Sequence, residues 1–289
     1  MINFYGNLRK HLRPIKMFSK KVLRYFSKFV LLFIPNIILD YSLERKKLCK
    51  NGLISFSIRN YGEVCRFRSS TFAIKEPDTL KWIESFDKNS TFIDIGANVG
   101  IYSIYASHFT SQVFSFEPDA LNYSLLNLNI LDNNLAGKIL AYPLSIHNKC
   151  KFDTLNIQNY QYGGALSSFA NQKDQFQKSF LPVFKQGSFS ITLDDIFEKI
   201  IKNNSTPPQE IHCKIDVDGN EKIILEGANE TFRSKNIKSF LVELDNTRDD
   251  YETVIKFFKN YGYALVSMES SPVFKEVFET TQNHIFYAK

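Results

Sequence analysis

Cysteine is scarce in this 289-residue chain: there are four, at Cys49, Cys65, Cys150 and Cys213, and no Cys-x-x-Cys pair. His108, His147, His212 and His284 complete no zinc-ligand spacing with them. These absences exclude a disulfide scaffold and a small zinc module, and they fit reduced thiols in a cytoplasmic protein. A long apolar run is missing as well. The longest uncharged one near the start, FVLLFIPNIIL at 29–39, has eleven residues and contains Pro35 and Asn36, whereas a membrane-spanning helix needs about 20. No small-x-small cleavage site follows it, which argues against a secretory signal. Two common phosphate grips are also lacking. There is no Gly-x-Gly-x-x-Gly turn of the dinucleotide type, and no Gly-Lys-Ser/Thr of a P-loop.

What is present supports a large folded core, since 44% of residues are hydrophobic and 15% aromatic. The net charge of +6 is unevenly spread. Residues 1–50 carry twelve Lys/Arg against Asp40 and Glu44, while residues 51–289 carry twenty-four basic and twenty-eight acidic residues. Nucleic-acid binding would therefore rest on the N-terminal arm alone and is not expected. Residues 16–34 have helical periodicity, with Phe18, Val22, Tyr25, Phe26, Phe29 and Phe33 on one face and Lys16, Lys20, Arg24 and Lys28 on the other. Such a helix either rests on an anionic membrane surface or packs its phenylalanines on a protein neighbour. The chain thus divides into a basic helical extension over 1–48 and a main domain over 49–289.

In the main domain, 53–58 and 63–68 alternate like strands, and 76–86 reads as a helix. Strands are then predicted at 91–95, 112–116, 138–144, 211–215 and 238–244, and helices at 100–109, 119–131, 193–203, 219–227 and 249–260. Alternation of this kind implies a doubly wound, mostly parallel α/β sheet. Two strands near 262–268 and 283–288, with no helix between them, imply a terminal antiparallel hairpin. Residues 157–190 are polar and weakly patterned, and read as a loop excursion of the kind that serves as a lid or binding loop.

Ligands of such sheets bind beyond the carboxyl ends of the strands. TFIDIGANVGIYSIYAS, residues 91–107, supplies one such end with Asp94, Gly96, Asn98 and Gly100. The turn has neither the dinucleotide spacing nor a basic residue for a pyrophosphate. Glu117 ends the next strand, 23 residues after Asp94, where a carboxylate binds ribose hydroxyls. Its structural alternative is an acid at a helix N-terminus. A ribose site without a diphosphate fits S-adenosylmethionine, whose ammonium Asp94 could orient directly or through water. Asp216, at the end of strand 211–215 beside the glycine turn, is the first candidate for a general base, and Asp218 the second. Glu243, at the end of the following strand, could bind substrate hydroxyls. These three acids would also suit a hard divalent cation, which is the less favoured option. Capping of the helix near Gly219 is the structural alternative for Asp216 and Asp218. Lys214 either stabilises a carboxylate or points to solvent, and His212 and His284 read as structural.

FIDIGANVGIYS, FSFEPDALNYSLLNLNILDNN, SITLDD, CKIDVDGNEKIILEGA and FLVELD resemble, in order and spacing, the successive motifs of the FkbM-type methyltransferases over about residues 70–245. The resemblance implies a class I, Rossmann-like fold with strand order 3-2-1-4-5-7-6, S-adenosylmethionine as cofactor, and O-methylation, often of sugars in glycans or of natural products. GALSS at 164–168 resembles the family's Ser-Ser-Leu loop with altered order. Asp218 stands where the family usually has Glu, and Ser145, where Ala is common, is a candidate adenine contact. Two alternatives compete. A nicotinamide-dependent oxidoreductase would share the ribose acid, and a catalytically inactive module would be recruited to membranes by its arm.

Overall fold

The computed structural model describes residues 45–50, 54–202, 209–270 and 280–289. The amphipathic helix expected over 16–34 lies outside them. Strands β1 (Arg45–Lys50) and β2 (Ile54–Arg59) form an antiparallel pair. Helix α1 (Gly62–Lys75) follows, where a strand was expected over 63–68. Six residues are too few to separate the two periods; the longer window settles it, because Cys65, Ser69 and Phe72 are buried at helical spacing. Helix α2 (Pro77–Glu84) begins on a proline, which suits a first helical position.

The central sheet contains β3 (Thr91–Ile95), β4 (Gln112–Phe116), β5 (Ile139–Tyr142), β10 (Ile211–Ile215), β11 (Ser239–Asp245), β12 (Tyr263–Ser270) and β13 (Thr281–Ala288). Its strand order is β12-β13-β11-β10-β3-β4-β5. Counting only these seven strands in chain order and reading from β5, this is 3-2-1-4-5-7-6, the order that the resemblance implies. All pairs are parallel except those made by β13, which runs antiparallel to both β11 and β12. Successive residues of the strands face opposite layers. Phe92, Val113 and Leu241 join the core with Leu80, Trp82, Ile104 and Leu125, whereas Ile93, Phe114, Phe240 and Val242 join Ile224, Phe232 and Phe258.

The helices between strands are α3 (Ile101–Ala106), α4 (Ala120–Asp132), α5 (Leu193–Asp195), α6 (Glu221–Glu226), α7 (Asn229–Ser234) and α8 (Tyr251–Asn260). The helix expected over 193–203 starts with a Thr192–Asp195 capping box and continues from Ile196 to Ile201 as a π-helix. The supposed loop excursion is partly a second sheet. Strands β6 (Ser145–Ile146), β7 (Lys151–Ile157), β8 (Ser168–Phe169) and β9 (Phe184–Ile191) pair in the order β6-β9-β7-β8. Its buried cluster is only Leu155, Ile157 and Phe169 with Ala170 against it, too small to impose an apolar pattern on the sequence.

Candidate active site

The strand ends β3, β4, β10 and β11 open into a cavity of about 360 Å³, a size that accommodates a small nucleoside-bearing ligand. One end of it is built from the glycine turn and Glu117. Gly96 has φ +82°, and a Cβ there would lie 1.8 Å from the Asp216 carbonyl oxygen. The glycine is therefore needed so that the end of β10 can pass against the turn. At Gly100 (φ +86°) a Cβ would meet Leu126 Cδ1 at 2.3 Å, so that residue serves the packing of α3 on α4 and does not line the cavity.

Asn98 takes a left-handed conformation (φ 51°). Its backbone N–H donates to Glu117 Oε2 at 2.7 Å, and the Asp119 N–H donates to Glu117 Oε1 at 2.9 Å. Both carboxylate oxygens are thereby aimed, and each retains acceptor capacity. Burial pushes the Glu117 carboxyl up to about 8, against the pull of those two N–H groups. Asp119 caps α4 through the N–H groups of Leu121 and Asn122, so Glu117 is not the helix cap.

Over this end lies the loop that starts the second sheet. Asn98 Nδ2 and Asn122 Nδ2 both donate to the Gly164 carbonyl, at 2.7 and 3.0 Å, and the Gly163 N–H donates to Asn122 Oδ1 at 2.8 Å. Arg68 Nε donates to the Gly163 carbonyl at 2.8 Å, and the Leu166 N–H to Asp218 Oδ2 at 2.6 Å. The GALSS segment is thus fastened from α1, the glycine turn, α4 and the end of β10.

The other end of the cavity is acidic. Asp216, Asp218 and Glu243 each bring an oxygen within 4.8 Å of the others. Lys214 Nζ donates to Asp216 Oδ2 at 2.6 Å and sits 5.3 Å from the centre of the Tyr102 ring. Burial alone would lower the Lys214 pKa, but Asp216, Asp94 and Glu76 outweigh it and hold the ammonium above the usual lysine range. Burial likewise opposes the ionisation of Asp216, which Lys214 and Lys75 nonetheless keep below the usual carboxylate range. Asp218 is pushed up to about 6 by burial and then by the Asp216 charge. Glu243 lies well above its ordinary value for the same two reasons. The spacing of the three acids would hold a hard cation, yet Lys214 and Lys75 already supply positive charge there.

Among the sequence-predicted site residues, Gly96, Asn98, Glu117, Asp216, Asp218 and Glu243 line this cavity, and Asp94, Gly100 and Ser145 do not. Asp94 is 1% exposed. It pairs in register with Lys214 on one side and Ser115 on the other, and accepts from Ser103 Oγ at 2.5 Å. It thus stands behind the cavity wall, and its Oδ1 is buried without a partner among the described residues. Ser145 is buried in the second sheet with its hydroxyl 3.2 Å from that of Ser188. Capping, the alternative for Asp216 and Asp218, is not what they do: α6 starts behind Asn220, and the Gly219 N–H donates to Glu221 Oε1. His212 stacks on Phe86 at 3.8 Å and lies 2.6 Å from Ser239 Oγ; His284 is fully buried between Tyr251 and the Gln282 carbonyl. Both are structural.

Sequence reasoning missed Arg68, Lys75, Glu76, Tyr102 and Asn122. Only Asn122 left a readable signal. With Asn129 it occupies the buried stripe of α4 beside Leu125, Leu126 and Ile130, and a polar residue on such a stripe needs a partner.

The strand order and the ribose-type carboxylate beyond β4 define a class I, Rossmann-like methyltransferase. The methyltransferase FkbM domain matches residues 94–265, well over half of the sequence, and the chain belongs to that family. S-adenosylmethionine is its cofactor, which sets aside the nicotinamide alternative. The residues present fit it: Glu117 offers two aimed acceptor oxygens to a ribose, and no basic side chain of the glycine turn demands a phosphate. No curated protein matches the sequence. Several solved structures are similar to this chain over about three quarters of its length. A Streptococcus mutans methyltransferase in complex with SAH is 9% identical, with 74% of this chain and 97% of that one covered and a TM-score of 0.44. For a Clostridium thermocellum rRNA-methylase the values are 8%, 74%, 95% and 0.43. For the precorrin-6y C5,15-methyltransferase of Geobacter metallireducens they are 13%, 74%, 87% and 0.40. At such scores the assignment rests on the strand order and the family match.

Proposed function

We propose that the protein transfers a methyl group to a hydroxyl oxygen of a sugar, in a glycan, a glycolipid precursor or a related natural product. The observation that carries this reading is the carboxylate cluster Asp216, Asp218 and Glu243 gathered beside the glycine turn. When bound, S-adenosylmethionine supplies an electrophilic methyl group on a sulfonium. A sugar hydroxyl is a weak nucleophile until its proton is being removed, so the chain must provide a base and hold the oxygen in line. Asp218, with a carboxyl near 6, is largely ionised at neutral pH and still basic enough to accept a proton. Asp216 is committed to Lys214 and acts as a positioning and charge-balancing group. Glu243, whose carboxyl burial and the Asp216 charge raise well above its ordinary value, would donate to a neighbouring acceptor hydroxyl when protonated. Asn283, which faces Glu243 across β11 and β13, and Thr281, whose buried hydroxyl has no partner among the described residues, extend this polar wall. A row of hydroxyl-binding groups suits a polyol better than a flat aromatic acceptor.

The test is transfer of labelled methyl from S-adenosylmethionine to a panel of glycan fragments, with the methylated atom located by mass spectrometry. Label on a sugar oxygen is expected. Asp218→Asn should lower turnover by about a hundredfold or more while cofactor affinity stays unchanged. Label on nitrogen or carbon, or full turnover by Asp218→Asn, would overturn the assignment.

A further inference from the structure

Arg68 is out of keeping with its surroundings. The cavity holds several carboxylates, yet none of them is hydrogen-bonded to this guanidinium. Asp216 is taken by Lys214 at 2.6 Å, Asp218 by the Leu166 N–H at 2.6 Å, and Glu76 by Lys75 at 2.5 Å. Arg68 spends only Nε, on the Gly163 carbonyl. Its two terminal nitrogens have no partner among the described residues, although the side chain is half-buried and lines the cavity. The Nε bond fixes the plane of the guanidinium, and a planar fork held in this way matches a carboxylate with two parallel N–H···O bonds. Helix α1 brings it there: Val64, Phe67, Arg68, Phe72 and Lys75 form one stripe along the cavity, at the i, i+3, i+4 spacing of a single helix face.

We infer that Arg68 is the carboxylate receptor of this cavity. The inference rests on the reading of the cavity as the S-adenosylmethionine site. Two sources offer the same chemistry: the α-carboxylate of the cofactor's methionine, and a carboxylate on an acidic sugar acceptor. A free guanidinium held among acids also selects against a second cation at that point, so the receptor adds specificity as well as affinity.

Calorimetry on the full chain distinguishes the sources. S-adenosylhomocysteine carries the carboxylate, whereas 5′-methylthioadenosine keeps the adenosine and sulfur but lacks the amino-acid tail. If the methionine carboxylate is the partner, Arg68→Met should weaken S-adenosylhomocysteine by at least about tenfold and leave methylthioadenosine unchanged. Arg68→Lys, which keeps the charge without the fork, should fall between. Unchanged methylthioadenosine binding also shows that the Gly163–Gly164 tether and the fold have survived. If the acceptor is the source, both nucleosides bind the variant normally. Saturation-transfer NMR with S-adenosylhomocysteine present should then show methyl glucuronide bound by the parent protein and lost in Arg68→Met, with methyl glucoside insensitive to the change. Equal response of both nucleosides, or no response of any probe, overturns the inference. Failure of the parent protein to bind either nucleoside overturns the cofactor site itself, and is recognised by that.

Discussion

Glu117 is a carboxyl group that the fold holds against its own preference. Burial raises it from 4.5 to about 8, although two backbone N–H groups favour the charged form. Ribose hydroxyls donate to the ionised carboxylate, so binding and deprotonation are linked. Methylthioadenosine, which has no titratable tail in this range, should therefore bind about tenfold more tightly at pH 8.5 than at pH 6.5. Glu117→Gln should bind it more weakly and without that slope, and calorimetry at the two pH values checks both. A flat profile for the parent protein would remove Glu117 from the ribose site. Its position at the strand end was legible in the sequence. That its charge would be opposed by burial was not, because the 163–167 loop over that end of the cavity lies almost fifty positions further along the chain.

At the scale of elements, the glycine turn shows why one motif letter can carry two duties. From the sequence, Gly96 reads as a place where a ligand approaches the backbone. The structure adds that β10 approaches it as well, with the Asp216 carbonyl where a Cβ would stand. A carbonyl at a strand end cannot move aside as a side chain can. Gly96→Ala should thus cost on the order of 3 kcal/mol in urea denaturation, with left-handed strain and overpacking acting together. Gly100→Ala, which meets the flexible end of Leu126, should cost roughly half as much. Equal losses would show that the two positions are only turn glycines. The misread element, α1, makes the complementary point. Over 63–68 its alternation suits a strand, yet as a helix it delivers Arg68 and Lys75 to the cavity, so an error of period hid two site residues.

For the whole molecule, pH stability follows from which groups titrate abnormally. Glu117, Glu221 and Asp218 have carboxyls raised to about 8, 7 and 6. Each costs stability above its ordinary value, and that stability returns as pH falls through the raised one. His212 works in the opposite sense: burial lowers it from 6.5 to about 3, so its contribution is present above pH 6.5 and is lost as pH falls toward 3. Asp94, Asp119 and Glu243 are raised in the same direction as those carboxyls, and His108, His147 and His284 are lowered as His212 is. Glu117, Glu221 and Glu243 are shifted across most of the interval from pH 5.5 to pH 8 and outweigh the histidines. The ligand-free protein should therefore be more stable at pH 5.5 than at pH 8, by at least about 1 kcal/mol in denaturant titrations. Greater stability at pH 8 would refute these environments.

No helix among the described residues is long and apolar enough to cross a membrane. The basic, periodic sequence over 16–34 lies outside the described residues, and its two readings, contact with an anionic membrane surface and packing on a protein neighbour, are separable by experiment. Reversing the charges of Lys16, Lys20, Arg24 and Lys28 should abolish flotation with anionic liposomes, and unchanged flotation would assign the arm to protein packing.

Strand–helix alternation, the glycine turn, the acid ending β4 and the acids ending β10 and β11 are local patterns, each set by neighbours within a few residues, and the sequence by itself determined them. From them follow the doubly wound sheet and the nucleoside end of the cavity. Tertiary structure alone decided that Asp94 is buried behind the cavity wall, that Ser145 belongs to another sheet, and that Lys214 pairs with Asp216. It also brought α1 and the 163–167 loop together over the site. Those outcomes depend on cross-strand register and on contacts between residues far apart in the chain, whose free energies no local pattern records.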